Sequence, residues 1–304
     1  MNYAFPLIAT LLWSVNTVIV KLSAGVISPA EIAFLRWVLA ALLLLPLSAR
    51  ALGAHRHFLA RYGWRYVLLG IVGGAVYQSL AYSAAQYTSA INLGMIQALV
   101  PLITIAITSV LLRAAPGLGT MVGATLSLVG VLVVISHGQL ERMIGDGVNR
   151  GDAMMLAGVV SMAVYNVLLK RWQSELPAIA SMFVQAVAAG AVLLPFYAVA
   201  DRQPLTVAGA GMVLYAGTAA SICAPLAWMA GLARLGPARV SIFFNLIPIG
   251  TAALATIFLG EQPTASLMVG GAMAVAGVIA VELAQKAKAR SASPAGADGR
   301  ATPD

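Results

Sequence analysis

The chain has 304 residues, 61% of them hydrophobic and only 9% charged, with a net charge of +8 and a mean hydropathy of +0.91. Soluble domains carry about 25% charged residues, so this chain cannot cover its own surface against water and is read as lipid-embedded. Apolar stretches run on for about twenty residues without the alternation a membrane barrel requires, which leaves helices.

In chain order, no basic segment precedes the first apolar run and no small-residue cleavage site follows it, so the start reads as a retained span. Apolar windows between polar or Gly/Pro punctuation predict spans at 4–20, 30–48, 65–84, 90–112, 117–137, 153–171, 178–199, 208–232, 238–259 and 264–284. His55 and His57 fall in a basic segment between the second and third spans and lack the further ligands a metal site needs. Cys223 stands alone inside an apolar run, so there is no disulfide and no cysteine metal cluster. After Gln285 the chain turns polar and repetitive, and residues 286–304 are expected to be a disordered tail.

The charges give the orientation. With the N-terminus in the cytoplasm, 13 of the 18 Lys and Arg lie on the cytoplasmic side. Four (Lys21, Arg142, Arg150 and Arg202) lie outside, and Arg36 sits within a span. Both termini are therefore placed in the cytoplasm of an inner-membrane protein. The positive charge is explained by these loops rather than by nucleic acid.

A repeat is visible, and it runs without gaps where the fourth and fifth spans meet the ninth and tenth. Shifted by 147 residues, Pro101 meets Pro248, Pro116 meets Pro263, Gly123 meets Gly270, Gly130 meets Gly277 and Gly70 meets Gly217. At a shift of 149, Lys21 meets Lys170, Pro46 meets Pro195 and Arg36 meets Gln185. Prolines and glycines serve specific backbone needs, so their alignment is informative where that of apolar residues is not. Five spans per unit is an odd number, so the second copy enters from the opposite side. The expected fold is an all-α membrane protein of ten transmembrane helices in two inverted five-helix repeats, 1–138 and 153–285, joined by an outer loop at 139–152. Inverted repeats are a common architecture of secondary transporters, with the substrate site between the halves.

The residues Trp13-Ser14-Val15-Asn16, Lys21, Pro29 and Arg36, then Leu99-Val100-Pro101-Leu102, Asn245-Leu246-Ile247-Pro248-Ile249, Gly260-Glu261, Pro263 and Gly270-Gly271 form a set. Together they resemble the EamA-type members of the drug/metabolite transporter superfamily over residues 4–284. The second half departs from the pattern, with Met162 and Tyr165 where the first has Trp13 and Asn16. The resemblance implies a central cavity lined by spans 1, 3, 4, 6, 8 and 9, with the last spans of each half as a scaffold. Gly123, Gly130, Gly270 and Gly277 suit that scaffold, because small residues let helix backbones approach.

On the implied lining helices the polar and aromatic residues are Trp13, Asn16 and Thr17; Tyr77, Gln78 and Tyr82; Asn92 and Gln97; Tyr165 and Asn166; Trp228; and Phe243, Phe244 and Asn245. Singly, each serves interhelical hydrogen bonding or interfacial anchoring as readily as substrate. As a set they predict an amphipathic pocket. Arg36, about 10 Å below the outer surface by helical rise, could bind a carboxylate; snorkelling or pairing with Glu31 is the blander expectation. Lys21 and Lys170 are expected to snorkel. Pro101 and Pro248 are expected to kink their spans and act as hinges.

No carboxylate is expected in the middle of any span, and neither a phosphate loop nor a hydrolytic motif is present. The missing carboxylate argues against a proton-coupled multidrug antiporter, the missing phosphate loop against ATP-driven transport by this chain alone, and the missing motifs against an enzyme; no cofactor is expected. The function expected is export of small metabolites by alternating access, amino acids being favoured by the resemblance, with aromatic or hydrophobic ones suited to the rings. Efflux of lipophilic or cationic drugs and a non-transporting scaffold or receptor are the alternatives. Monomer and homodimer both stay open.

Overall fold

The computed structural model describes residues 2–111, 117–136, 149–172, 176–201, 204–235 and 243–292. Among these residues every regular element is helical. In order they are α1 (Ala4–Leu22), α2 (Pro29–Ala54), α3 (Arg56–Ala84) and α4 (Ala90–Leu111). After α5 (Leu118–Ile135) come α6 (Arg150–Trp172), α7 (Ala178–Val199), α8 (Val207–Leu235), α9 (Leu246–Leu259) and α10 (Ala265–Ala292). Eight of them are long and apolar enough to cross a membrane; α5 and α9 are shorter apolar helices. Large apolar side chains such as Leu42, Leu47, Val110, Phe196 and Ile257 face outward, the arrangement lipid favours.

Local chemistry sets the helix ends. Ser28 starts α2 by accepting the Glu31 N–H at 3.2 Å, with Pro29 at the first helical position. Ser89 caps α4 through the Asn92 N–H, and Thr206 caps α8 through the Gly209 N–H. Gly260 ends α9 in the left-handed conformation, φ 65°. The Glu261 carboxylate then accepts the Ala90 and Ile91 N–H groups at 2.8 and 3.0 Å. It thereby ties the α9–α10 turn to the N-terminus of α4, where a negative charge is favoured.

Three boundaries differ from the sequence expectation. The basic segment between the second and third spans is helical on both sides of His55. Arg and Ala are good helix formers, and Phe58 and Leu59 pack with Tyr66 and Leu69, so the segment has an apolar face that a hydropathy window averages away. The chain after Gln285, expected to be disordered, is helical through Ala292; residues 293–304 lie outside the described residues. Helix α6 begins at Arg150 rather than 153, which brings Asp152 into its first turn.

Among the described residues the principal helix pairs survive exchanging α1 to α5 with α6 to α10. Helix α1 packs on α8 and α9, as α6 packs on α3 and α4. Helix α2 lies against α7, and α5 lies most extensively against α10. The α5–α10 seam is backbone on backbone: a Cβ on Gly130 would lie 2.4 Å from Ala274 N, and one on Gly277 2.4 Å from Ser127 N. No side chain larger than hydrogen fits there.

Both α3 and α8 contain π-helical segments, Gly70–Val76 and Ala216–Cys223. Such wide turns are rare and concentrate at functional sites. Each opens with a glycine-bearing stretch pressed against α7 or α2 respectively.

Candidate substrate-binding site

The centre of the bundle is organised around Arg36 of α2, whose side chain is 2% exposed. It neither snorkels nor pairs with Glu31. Its guanidinium turns inward and donates to Gln78 Oε1 at 2.9 Å and to the Tyr82 hydroxyl at 3.0 Å, both on α3. Across the interface it donates from Nε and Nη2 to Ser221 Oγ of α8, at 3.2 and 2.7 Å. Ser221 itself donates to the Ala216 carbonyl within the π-helical segment, so the wide turn aims its oxygen at Arg36. The Trp37 and Tyr82 rings lie 5.3 and 5.9 Å from the guanidinium carbon. Every one of these partners is neutral, although an isolated charge in a membrane protein's interior is expensive. Guanidinium has five N–H donors, and the four bonds above use four of them.

Beside this cluster lies a cavity lined by Asn16, Thr17, Tyr77, Gln78 and Gln97, with Leu93 among its apolar walls. The Gln97 amide donates to the Tyr77 hydroxyl at 2.8 Å. The Thr17 hydroxyl lies 3.4 Å from Gln97 Oε1 and 3.2 Å from the Trp13 carbonyl. Asn16 Oδ1 is buried and has no hydrogen-bond partner among the described residues, which makes it an acceptor that a donor would satisfy. The cavity measures about 20 Å³, room for a water and little more.

Trp13 donates its indole N–H to the Ala220 carbonyl at 3.3 Å. Its ring lies 5.5 Å from Trp228 and 5.8 Å from Phe244, and Trp228 meets Phe244 edge-on at 5.5 Å. The three rings form one aromatic wall, tilted as their quadrupoles prefer. Phe243 does not join it; that ring stacks with Tyr3 instead. Asn92 is buried, but it donates to Thr88 and Asp152 away from the cavity. Tyr165 packs over Gly73, where a Cβ would lie 2.4 Å from its ring, and joins the cluster of Tyr66 and Trp172. Asn166 is half-buried on α6 and is not among the cavity-lining residues. Asn245, buried with Nδ2 unpartnered, sits at the step between Phe244 and α9.

The two prolines lie just after helix breaks rather than at them. Helix α4 breaks at Ala98–Leu99 and resumes at Val100, one residue before Pro101. Pro248 is the third residue of α9, after the step at Asn245. Lys21, expected to snorkel, donates to the Ala85 carbonyl at the end of α3 at 2.9 Å, where the helix dipole welcomes a cation. Sequence reading missed Ser221 at the site and, away from it, the buried carboxylate of Asp152. Ser221 carries no signal beyond a hydroxyl within a span. Asp152 is fully buried and accepts from Thr88 at 2.6 Å, yet lies at a helix start that hydropathy assigns to a loop.

The amino-acid sequence matches the EamA-like transporter family twice, over residues 2–136 and 149–283. The chain belongs to that family. The two matched stretches begin and end 147 residues apart, the offset at which Pro101 meets Pro248. This EamA-like transporter is similar to the "Uncharacterized transporter YyaM" of Bacillus subtilis (strain 168), 26% identical over 265 residues covering 85% of this chain and 86% of that one. It is similar also to the "Probable terminal-alkyne amino-acid exporter" of Streptantibioticus cattleyicolor, 25% identical over 232 residues, 75% of this chain and 76% of that one. A solved crystal structure superposes with a TM-score of 0.63 at 18% identity, covering 94% of this chain and 98% of that one, a likeness of fold alone. The protein is an integral membrane transporter of small molecules and not an enzyme, and a non-transporting scaffold is set aside.

Proposed function

We propose that this EamA-like transporter exports small metabolites bearing a carboxylate, amino acids foremost, across the inner membrane by alternating access. In this reading ten spans form two inverted halves with both termini in the cytoplasm. The pairing of α1 to α5 with α6 to α10 supports the two halves, and the cytoplasmic excess of Lys and Arg supports the orientation. The name of the Streptantibioticus relative is in line with amino acids.

The observation that carries the substrate class is Arg36, a buried cation whose partners are all neutral. A carboxylate displacing the Gln78 oxygen would exchange a neutral acceptor for a charged one, roughly doubling the strength of that hydrogen bond. The unpartnered Asn16 Oδ1 offers an acceptor to an ammonium group, and the Trp13–Trp228–Phe244 wall offers rings to an apolar side chain. A zwitterion with an apolar body matches all three. Because the present cavity is so small, α1, α3 and α4 must part before such a substrate enters.

Efflux of lipophilic cations is the second reading, favoured by the same three rings, which attract cations. The fixed cation of Arg36, whose hydrogen-bond partners among the described residues are all neutral, opposes it. Counterflow in proteoliposomes with radiolabelled amino acids separates the two readings. Exchange of apolar or aromatic amino acids, lost in Asn16→Ala protein that remains folded, is the expected result. Folded protein that exchanges none of them, yet moves a lipophilic cation, would sink the amino-acid assignment.

A further inference from the structure

A second cavity, of about 480 Å³, opens far from Arg36, between the start of α3 and the end of α6. It is lined by Trp64, Arg65, Arg171 and Trp172. Its size falls in the range of small-ligand sites, roughly 300–1,000 Å³. Trp64 and Trp172 meet edge-on at 5.3 Å, and the Tyr66 hydroxyl donates to the Trp172 carbonyl at 3.1 Å, so the two helix ends are tied together around it. The Arg65 guanidinium lies 4.3 Å over the Tyr62 ring and within 6.0 Å of Trp172. Its Nε is buried and has no hydrogen-bond partner among the described residues. Arg171 is exposed beside it.

We infer that this cavity binds the phosphate-bearing headgroup of an anionic phospholipid. Two arginines converge on it, and the planar fork of a guanidinium matches phosphate oxygens. The unpartnered Arg65 Nε–H is a donor that an anion would satisfy. The cavity opens toward lipid: Trp64 is 57% exposed, Val67 one turn deeper is 40% exposed, and Ala60 on the same helical face is exposed too. Ring pairs of this kind sit at the headgroup level of a bilayer. Basic pockets between helices at that level recognise anionic lipids. The aromatic pair walls the headgroup in while the acyl chains run along the apolar stripe of α3.

The test uses the purified full-length protein in a nonionic detergent, with its thermal unfolding midpoint followed on addition of phosphatidylglycerol, phosphatidylcholine of the same acyl chains, or inorganic phosphate. Phosphatidylglycerol is expected to raise the midpoint, and the other two to leave it unchanged. Arg171→Gln is expected to weaken the lipid's apparent affinity about fivefold, and the Arg65→Gln/Arg171→Gln pair by about fivefold again. Arg234→Gln, on α8, is expected to change nothing. If the double variant does not fold, Arg171→Gln carries the test, because its exposed side chain supports no packing. Equal protection by phosphatidylcholine, or undiminished binding by Arg171→Gln, overturns the site. Equal protection by inorganic phosphate overturns its assignment to lipid.

Discussion

Two helix crossings in this transporter have matching backbones and different side chains. Where α3 crosses α7, a Cβ on Gly70 would lie 2.3 Å from the Gln185 carbonyl oxygen; where α8 crosses α2, one on Gly217 would lie 3.0 Å from the Arg36 carbonyl oxygen. Each glycine belongs to a π-helical segment. At the first crossing Gln185 donates back to Ser181 on its own helix at 2.9 Å. At the second, Arg36 reaches to α3 and α8 at once. The glycines settle how the helices pack; the side chain at the crossing settles which hydrogen bonds form there. Because only one crossing bears a charge, the two halves cannot contribute equally to the site, whatever symmetry relates their backbones.

The largest effect is expected from destroying a crossing. Gly70→Leu would force a side chain against backbone atoms, which cannot move aside as a flexible side chain does. Overpacking typically costs about 1–3 kcal/mol, and backbone contact places this case at the upper end or beyond. Loss of monodisperse protein in size-exclusion chromatography is expected, whereas Gly211→Leu, with nothing within 4 Å of its Cβ, is expected to stay monodisperse.

The next effect comes from making the crossings alike. Arg36→Gln installs the side chain of the other crossing. Hydrogen bonds to charged groups contribute about 1.5–3 kcal/mol, so carboxylate exchange is expected to fall between about tenfold and 150-fold. The unfolding temperature is expected to change little, because relief from burying a charge offsets the loss of its four hydrogen bonds. A matching loss of stability would instead make Arg36 a structural residue. Smallest of all, Gln185→Ala removes only a bond within α7, and exchange is expected to stay within about twofold of the parent protein, well under the 1.4 kcal/mol that a tenfold change represents.

Which helices exist was largely legible from composition, because lipid tolerates only long apolar runs whose backbone bonds close internally. The depth and direction of individual side chains were not. Asn92 and Tyr165 lie on cavity helices but meet Asp152 and Gly73 rather than the cavity, since assigning a residue to a span says nothing of its level. Phe243 and Phe244 are adjacent, yet a helical step of about 100° sends one to Tyr3 and the other to Trp13. The partners of Arg36 lie 42 to 185 residues away, so no local pattern could announce them. The π-helical segments leave no periodicity mark in Gly70–Val76 or Ala216–Cys223, although the matched glycines at 70 and 217 did flag a shared backbone need. The Gly260–Glu261 pair was visible as a motif, but its capping of α4 joins positions about 170 residues apart.

The central claim, that Arg36 selects a carboxylate, is tested most directly by comparing counterflow of an apolar amino acid with that of its carboxamide in the unaltered protein. The two differ in the charge that would face the guanidinium and in little else. Exchange of the acid with at least tenfold weaker exchange of the amide is the expected result. Equal exchange of both would contradict the assignment and return Arg36 to the role of a buried structural cation.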